Sequence, residues 1–121
     1  MTSIITGDII NSRKLSNPRD WLTALKKVLS AFGKSPKTWE IYRGDSFQVE
    51  IKAPETALLA AIKIKASIKS FKDLDVRMAI GIGGKTFDAP RITEASGEAF
   101  INSGEMFENL NRNKQNLAIK S

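Results

Sequence analysis

The feature that most limits the possible folds is a pair of alternating segments joined by a short polar turn. Residues 38–42 and 47–51 each alternate apolar with polar side chains, and Arg43, Gly44, Asp45 and Ser46 lie between them. Such alternation is the period of a half-buried strand, and Gly and Asp favour turns. The sequence therefore predicts a β-hairpin near the centre of the chain.

Two segments before the hairpin have the periods of a strand and of a helix. Residues 2–7 are apolar or β-branched and end at Asp8, as a central strand does before a functional turn. Between Pro18 and Gly33, apolar residues recur at steps of three and four, which predicts an amphipathic helix. Asn17 followed by Pro18 suits its start, because Asn caps free amides and Pro tolerates the first helical position. The apolar positions are Trp21, Leu22, Leu25, Val28, Leu29 and Phe32.

The chain after the hairpin predicts a second helix, a strand, a third helix and a short terminal strand. Pro54 and Glu55 open the second helix, whose lysine-bearing face we interpret as solvated. Its predicted buried side consists of Leu58, Leu59, Ile62, Ala66 and Phe71, opposite Lys65, Lys69 and Lys72. Residues 76–82 predict the next strand, residues 94–110 the third helix, and residues 117–119 a candidate edge strand.

The order of these elements indicates an α+β fold. The first six elements form a ferredoxin-like βαββαβ unit, in the order strand, helix, strand, strand, helix, strand. Such a unit has an antiparallel sheet with helices on one face. The C-terminal helix and the edge strand are additions to it. With 121 residues, 41% of them hydrophobic, the chain suits one domain spanning residues 1–121. It stops soon after Ile119, inside a predicted strand, so we expect this domain to be the N-terminal part of a longer protein.

The residue types present restrict the chemistry of any site. The chain has no cysteine and no histidine, which excludes disulfides, thiolate metal sites and the usual zinc ligands. Carboxylates, hydroxyls, Lys, Arg and backbone groups remain, and among metals they suit hard cations such as Mg²⁺. The net charge of +6 favours anionic partners, although the basic residues are dispersed along the chain.

The sequence gives no sign of a membrane or a secreted protein. No apolar run approaches the roughly 18 residues that a membrane helix needs, and no signal peptide opens the chain. We therefore expect a soluble, cytoplasmic protein without a membrane partner. A direct nucleic-acid interface is a weaker alternative, prompted only by the net charge, because the chain lacks a basic run with interleaved aromatic residues.

Topology predicts that two aspartates far apart in the sequence lie side by side. A right-handed crossover makes the first two strands parallel, and the hairpin return places the third strand antiparallel between them. Asp8, at the end of the first strand, then lies beside Asp45 at the hairpin tip. Two close carboxylates repel each other unless a cation lies between them, so the pair predicts a magnesium-phosphate site. The alternative is that both belong to ordinary Gly-Asp turns.

The residues that follow Asp8 are suited to a phosphate group. Asn11, Ser12, Arg13 and Lys14 offer amide, hydroxyl and cationic groups on the way to the first helix. These residues therefore extend the predicted magnesium-phosphate site beyond the two aspartates.

Two segments carry a resemblance to a known family. Residues 7–14 and 43–48 resemble the signature segments of the SatD family, small bacterial proteins whose N-terminal half is related to nucleotide cyclases. The resemblance spans nearly the whole chain and implies a palm domain like those of class III nucleotide cyclases and diguanylate cyclases. It also implies metal ligands at the carboxylate of Asp8, the carbonyl of Ile9 and the carboxylate of Asp45.

Later segments extend this resemblance. Residues 77–83 resemble the cyclase strand that reads Arg, then Gly-Ile, then Gly, and residues 97–102 resemble the helix whose Asn102 approaches the ribose. The nucleotide- and phosphate-binding residues expected on this basis are Asn11, Ser12, Arg13, Lys14, Arg43, Gly44 and Asn102.

The chain also departs from the cyclase pattern. Met106 stands where a cyclase supplies an Arg to the developing phosphate charge, and Ser46 stands where many SatD-like proteins have Glu. Loss of such charge stabilisation costs about a hundredfold to a thousandfold in rate, which argues against cyclase activity unless Arg13, Lys14 or Arg43 replaces the missing cation. SatD relatives also continue into a region that resembles a helix-turn-helix, which this sequence lacks.

Two functional hypotheses follow. The first is a nucleotide-binding, cyclase-like domain with an Mg²⁺-dependent site that senses or processes a nucleoside phosphate in a bacterial regulatory protein. An active enzyme of this kind would catalyse phosphoryl or nucleotidyl transfer, or a nucleotide cyclase reaction. The alternative is a non-catalytic regulatory module that forms homodimers and is attached to a DNA-binding helix-turn-helix region, as in a transcription regulator.

Overall fold

The strands and helices follow the predicted order. The computed structural model describes residues 1–12 and 17–121, apart from the side chain of Asn111. Its elements are β1 (Thr2–Ile10), α1 (Arg19–Ser30), β2 (Trp39–Tyr42), β3 (Ser46–Ile51), α2 (Ala57–Lys69), β4 (Asp75–Gly83), α3 (Glu98–Asn113) and β5 (Leu117–Lys120). Short 3-10 helices lie at Pro54–Thr56 and Ile92–Glu94. The predicted α+β class, with a βαββαβ unit, a third helix and an edge strand, is confirmed.

Strand β1 is the central strand of the sheet. The strand order is β2-β3-β1-β4-β5, and β1 is antiparallel to both of its neighbours. β3 lies between β1 and β2, as predicted, so β1 and β2 run parallel. β5 joins the far edge parallel to β4, which makes the sheet mixed rather than wholly antiparallel. Pairing on both edges fixes the ends of β3 and β4 relative to β1.

Alternate side chains of β1 enter two different layers. Ile5 lies in the main core together with Leu25 of α1 and Ile64 of α2. Ile4 faces the other way and belongs to a second cluster with Ala99 of α3. The two helices of the predicted unit therefore share one face of the sheet, and α3 covers the opposite face.

The buried side of α2 differs from the predicted one, of which only Phe71, just beyond the helix, packs against the main core. Leu58, Leu59 and Ile62 are 45%, 55% and 54% exposed, and Ala66 is exposed as well. The buried stripe instead consists of Ala57, Ala60, Ala61, Ile64 and Ile68. Apolar residues occupy both sides of this helix, so periodicity alone could not identify which side is buried. The side with three alanines is buried because small side chains let a helix approach the sheet closely.

Strand β1 is longer than predicted. It continues to Ile10, so Asp8 lies within a strand and not in a turn. The prediction of two acidic turn residues is therefore wrong for Asp8 and correct for Asp45, which follows Gly44 between β2 and β3. At the start of α1, the Asn17 side-chain oxygen accepts a hydrogen bond of 3.0 Å from the Arg19 amide, which agrees with the predicted capping role.

The second and third helices begin later than predicted. A 3-10 turn at Pro54–Thr56 precedes α2, and α3 begins at Glu98 rather than at residue 94. The connection from β4 to α3 contains its own 3-10 turn, which ends at Glu94, and a bridge between Phe87 and Ser96, so the α-helix starts only after Ser96. Within the described ranges, none of the helices combines the length and apolar character that crossing a bilayer requires.

Gly81 sets the distance between α3 and the sheet. A Cβ atom at this position would overlap the Ala99 carbonyl oxygen and the Ser103 amide nitrogen, both of which are backbone atoms. The Ser103 hydroxyl donates to the Thr6 hydroxyl at 2.7 Å, on the same buried surface. The glycine in β4 is therefore required for close packing of α3 against the sheet.

We predict that Gly81→Ala lowers the free energy of unfolding by about 1–3 kcal/mol, because the added methyl group forces two backbone segments apart. Gly104→Ala is the matched control. A Cβ there meets nothing within 4 Å, and replacing Gly by Ala inside a helix stabilises it by up to about 1 kcal/mol. Urea unfolding followed by circular dichroism compares the two variants, and equal midpoints for Gly81→Ala and wild type would contradict the prediction.

Candidate functional site

The end of β1 and the tip of the hairpin are neighbours. The Cα atom of Asp8 is opposite Ser46 in β3 and opposite Arg77 in β4. The Ile9 amide donates a hydrogen bond of 3.0 Å to the Asp45 carbonyl. The residues of the predicted metal set, Asp8, Ile9 and Asp45, therefore come together at one end of the sheet.

The carboxylate of Asp8 is held by Arg77. The Arg77 Nε donates to Asp8 Oδ1 at 3.1 Å, and Nη2 donates to Oδ2 at 2.9 Å. About three-quarters of each side chain is covered, with 21% of Asp8 and 25% of Arg77 exposed. The hydrogen bonds that Arg77 donates to Asp8 raise the pKa of the guanidinium, and the charges of Asp8 and Asp45 raise this pKa further. The repulsion between the two acids is thus offset by a cation that the chain itself supplies.

Asp45 has a different partner. The Ser12 hydroxyl donates to Asp45 Oδ2 at 2.8 Å, which joins the segment after β1 to the hairpin turn. The carbonyl of Ile9 also points toward this turn, because the N–H and C=O groups of one strand residue face the same neighbouring strand. The Ser12 hydroxyl therefore contacts the Asp45 carboxylate, and the Ile9 carbonyl faces the same turn.

A cleft of about 600 Å³ lies between the hairpin turn and the start of α1. Its lining residues are Ser12, Pro18, Trp21, Leu22, Arg43, Gly44 and Asp45. Trp21 forms an apolar wall, and its buried indole N–H has no hydrogen-bond acceptor among the described residues. Gly44 adopts a φ of 83° and so belongs to a turn conformation that favours glycine. Asp8 does not line this cleft, and its carboxylate is engaged by Arg77.

Two predicted ligand-binding residues lie elsewhere. Asn11 donates its side-chain amide to the Asp73 carbonyl at 3.1 Å. Asn102 is 6% exposed and donates to the Ile82 carbonyl at 2.9 Å. Ile82 lies five residues beyond Arg77 in β4 (82 minus 77), which is about 17 Å along the strand, so Asn102 makes its hydrogen bond far from the Asp8–Arg77 pair. Within one chain, the fold does not bring Asn102 to the paired aspartates.

The remaining predicted residues divide between the cleft and the part of the chain that is not described. Arg43 and Gly44 are exposed and line the cleft, as does Ser12. The predictions for Arg13 and Lys14 fall outside the described residues.

The donor atoms near Asp45 suit magnesium. The carboxylates of Asp8 and Asp45, the Ile9 carbonyl and the Ser12 hydroxyl are all oxygen donors, which Mg²⁺ prefers. No group of three or more His, Cys, Asp or Glu residues forms a metal cluster in residues 1–12 and 17–121. Mg²⁺ commonly keeps water and takes ligand phosphates beside one or two carboxylates, so two acids fit this ion.

Sequence reasoning missed two residues of this region as site residues. Arg77 is a charged residue inside the otherwise apolar strand 76–82, and such a residue needs a counterion on a neighbouring strand. Trp21 was assigned only to the apolar side of α1, where it also lies. Trp21 also forms a wall of the cleft because the hairpin turn lies beside it. The helical spacing of apolar residues gives no information about the position of that turn.

Comparisons with known proteins support the fold. The chain is similar in structure to the active GGEEF domain of a diguanylate cyclase from Vibrio cholerae, with a TM-score of 0.62 and 17% sequence identity. The match covers 98% of this chain and 81% of that domain. No family model and no curated protein matches the sequence. The chain therefore shares the fold of this GGEEF domain, and membership of the SatD family stays a prediction.

We predict that the Asp8–Arg77 pair contributes a coupling energy of about 1–2 kcal/mol to folding, because two charge-assisted hydrogen bonds form where most of the solvent is excluded. A double-mutant cycle with Asp8→Asn and Arg77→Met measures it by urea unfolding. The control is the exposed pair Lys120–Glu105, at 2.7 Å, for which at most about 0.5 kcal/mol is expected. Equal coupling energies for the two pairs would show that Arg77 contributes no more than a surface charge.

Proposed function

We propose that this chain is a nucleotide-binding palm domain that senses or processes a nucleoside phosphate through Mg²⁺ at Asp8 and Asp45, as part of a bacterial regulatory protein. One observation carries the proposal: the end of β1 and the hairpin turn meet through the hydrogen bond from Ile9 to Asp45, beside a cleft of about 600 Å³. The fold of a nucleotide cyclase palm domain supports the class of ligand.

The cleft and the adjacent end of β1 together offer groups that suit each part of a nucleotide. The carboxylates of Asp8 and Asp45 and the Ile9 carbonyl would hold the cation, which would neutralise charge on the phosphates. Arg43 and the backbone of Gly44 are positioned to bind phosphate oxygens beside it. The indole of Trp21 and the side chain of Leu22 offer an apolar wall to the base. The net charge of +6 favours approach of such an anion.

Two features favour sensing over cyclisation. Met106 supplies no cation to a developing phosphate charge, and among the residues that the structure describes, the Asn102 amide is occupied by the Ile82 carbonyl. A reaction that depends on charge stabilisation at the phosphate is therefore poorly supported by α3. Binding without turnover needs only the cleft and the two acids.

The second candidate function is a dimerisation or regulatory module without a nucleotide, attached to a DNA-binding region. Strand β5 supports it. This strand forms one edge of the sheet, and its Leu117 and Ile119 are 39% and 48% exposed. An apolar edge strand is a surface on which a second chain can pair.

We predict that the wild-type domain binds ATP or GTP in the presence of Mg²⁺ and loses this binding when the cation is chelated. Asp8→Asn and Asp45→Asn each weaken binding by about tenfold or more, because each removes one anionic ligand of the cation. Isothermal titration calorimetry gives the affinities.

The control is Asp88→Asn, which changes an exposed aspartate that pairs with Lys85 on a distant loop. This variant is expected to bind nucleotide with wild-type affinity. If the Asp8 and Asp45 variants bind as well as Asp88→Asn does, the proposed site is wrong. If no protein binds either nucleotide, the second candidate function replaces the first.

A further inference from the structure

The contact between Asp8 and Arg77 occupies the carboxylate that the proposed function assigns to a divalent cation. Both oxygens of Asp8 accept a hydrogen bond from the guanidinium, at 3.1 and 2.9 Å. The backbone of Arg77 is paired directly opposite Asp8 in the central strands, so the guanidinium lies beside the carboxylate whenever the sheet is formed. A cation that binds Asp8 therefore meets a resident positive charge.

We infer that Arg77 is the built-in counterion of this site and that a divalent cation must displace it from Asp8 in order to bind. This inference rests on the proposed function, since it concerns the same two aspartates. It assigns to Arg77 the role of setting the affinity for the cation, a role separate from holding the nucleotide.

Simple sharing of Asp8 between the two cations is disfavoured. Each carboxylate oxygen has a second lone pair, so geometry alone would allow both to bind. The guanidinium and a divalent ion would then lie within a few ångströms of each other, in a region where about three-quarters of each side chain is covered. Like charges at that separation repel strongly when solvent is largely excluded. One cation therefore replaces the other.

Asp45 links the replacement to the hairpin. Its carboxylate accepts a hydrogen bond from Ser12 and lies near enough to Arg77 for its charge to act on the guanidinium. A divalent ion between Asp8 and Asp45 would neutralise both acids and release the guanidinium from Asp8, so binding of the ion and movement of Arg77 are coupled.

The experiment uses Mn²⁺ as the probe and measures its affinity by electron paramagnetic resonance. Arg77→Met is expected to bind Mn²⁺ about tenfold more tightly than wild type, because the competing charge-assisted hydrogen bonds are gone. Arg77→Lys keeps the charge but loses the two-pronged contact, so its affinity is expected to lie between them. The control, Arg91→Met, removes another Arg–carboxylate pair, with Glu40 at 2.6 Å, and is expected to bind as wild type does.

A second measurement follows the wild-type side chain directly and does not depend on the stability of a variant. In the ¹⁵N NMR spectrum, the Nε–H signal of Arg77 is expected to be protected from solvent exchange without metal and to lose that protection on addition of Mg²⁺.

The possible outcomes separate the two proposals. If wild type binds Mn²⁺ and Arg77→Met binds no more tightly, or if the Nε–H signal is unchanged at saturating Mg²⁺, the inference is wrong while the proposed function stands. If neither wild type nor Arg77→Met binds Mn²⁺, the proposed function is wrong and the inference falls with it.

Discussion

The pairing of β1 on both edges is the constraint on which the site depends. β3 and β4 are each antiparallel to β1, and their registers place Ser46 and Arg77 on either side of Asp8. The register also brings the Asp45 carbonyl to the Ile9 amide. A shift of one residue in either pair would turn these side chains to the other face of the sheet. The buried apolar side chains of β1, which face two different cores, oppose such a shift.

The salt bridge between Asp8 and Arg77 changes how the paired acids should be understood. Two close carboxylates suggested that a divalent ion was needed to hold them together, but the guanidinium already meets that need. The two acids can therefore be stable without a metal. The case for Mg²⁺ then depends on the all-oxygen donor set, on the adjacent cleft and on the fold, rather than on charge repulsion alone.

The sequence predicted the elements and their neighbours well, for physical reasons that can be named. Alternation identified the hairpin, and the right-handed crossover placed β3 between β1 and β2, which brought Asp45 to Asp8. The same reasoning could not place residues whose partners depend on packing. Because apolar residues lie on both sides of α2, periodicity could not identify its buried face. A motif match could not show that Asn102 lies at the opposite end of the sheet.

The central claim is that Asp8 and Asp45 share one divalent cation beside a bound nucleotide. A crystal structure of the domain with Mn²⁺ and a non-hydrolysable nucleoside triphosphate tests it most directly, because Mn²⁺ is located by its anomalous scattering. The account predicts an anomalous peak coordinated by both carboxylates and by the Ile9 carbonyl, with the phosphates beside Arg43 and with Arg77 moved away from Asp8. A nucleotide bound in another part of the molecule, with Arg77 still paired to Asp8 and no cation between the aspartates, would contradict it.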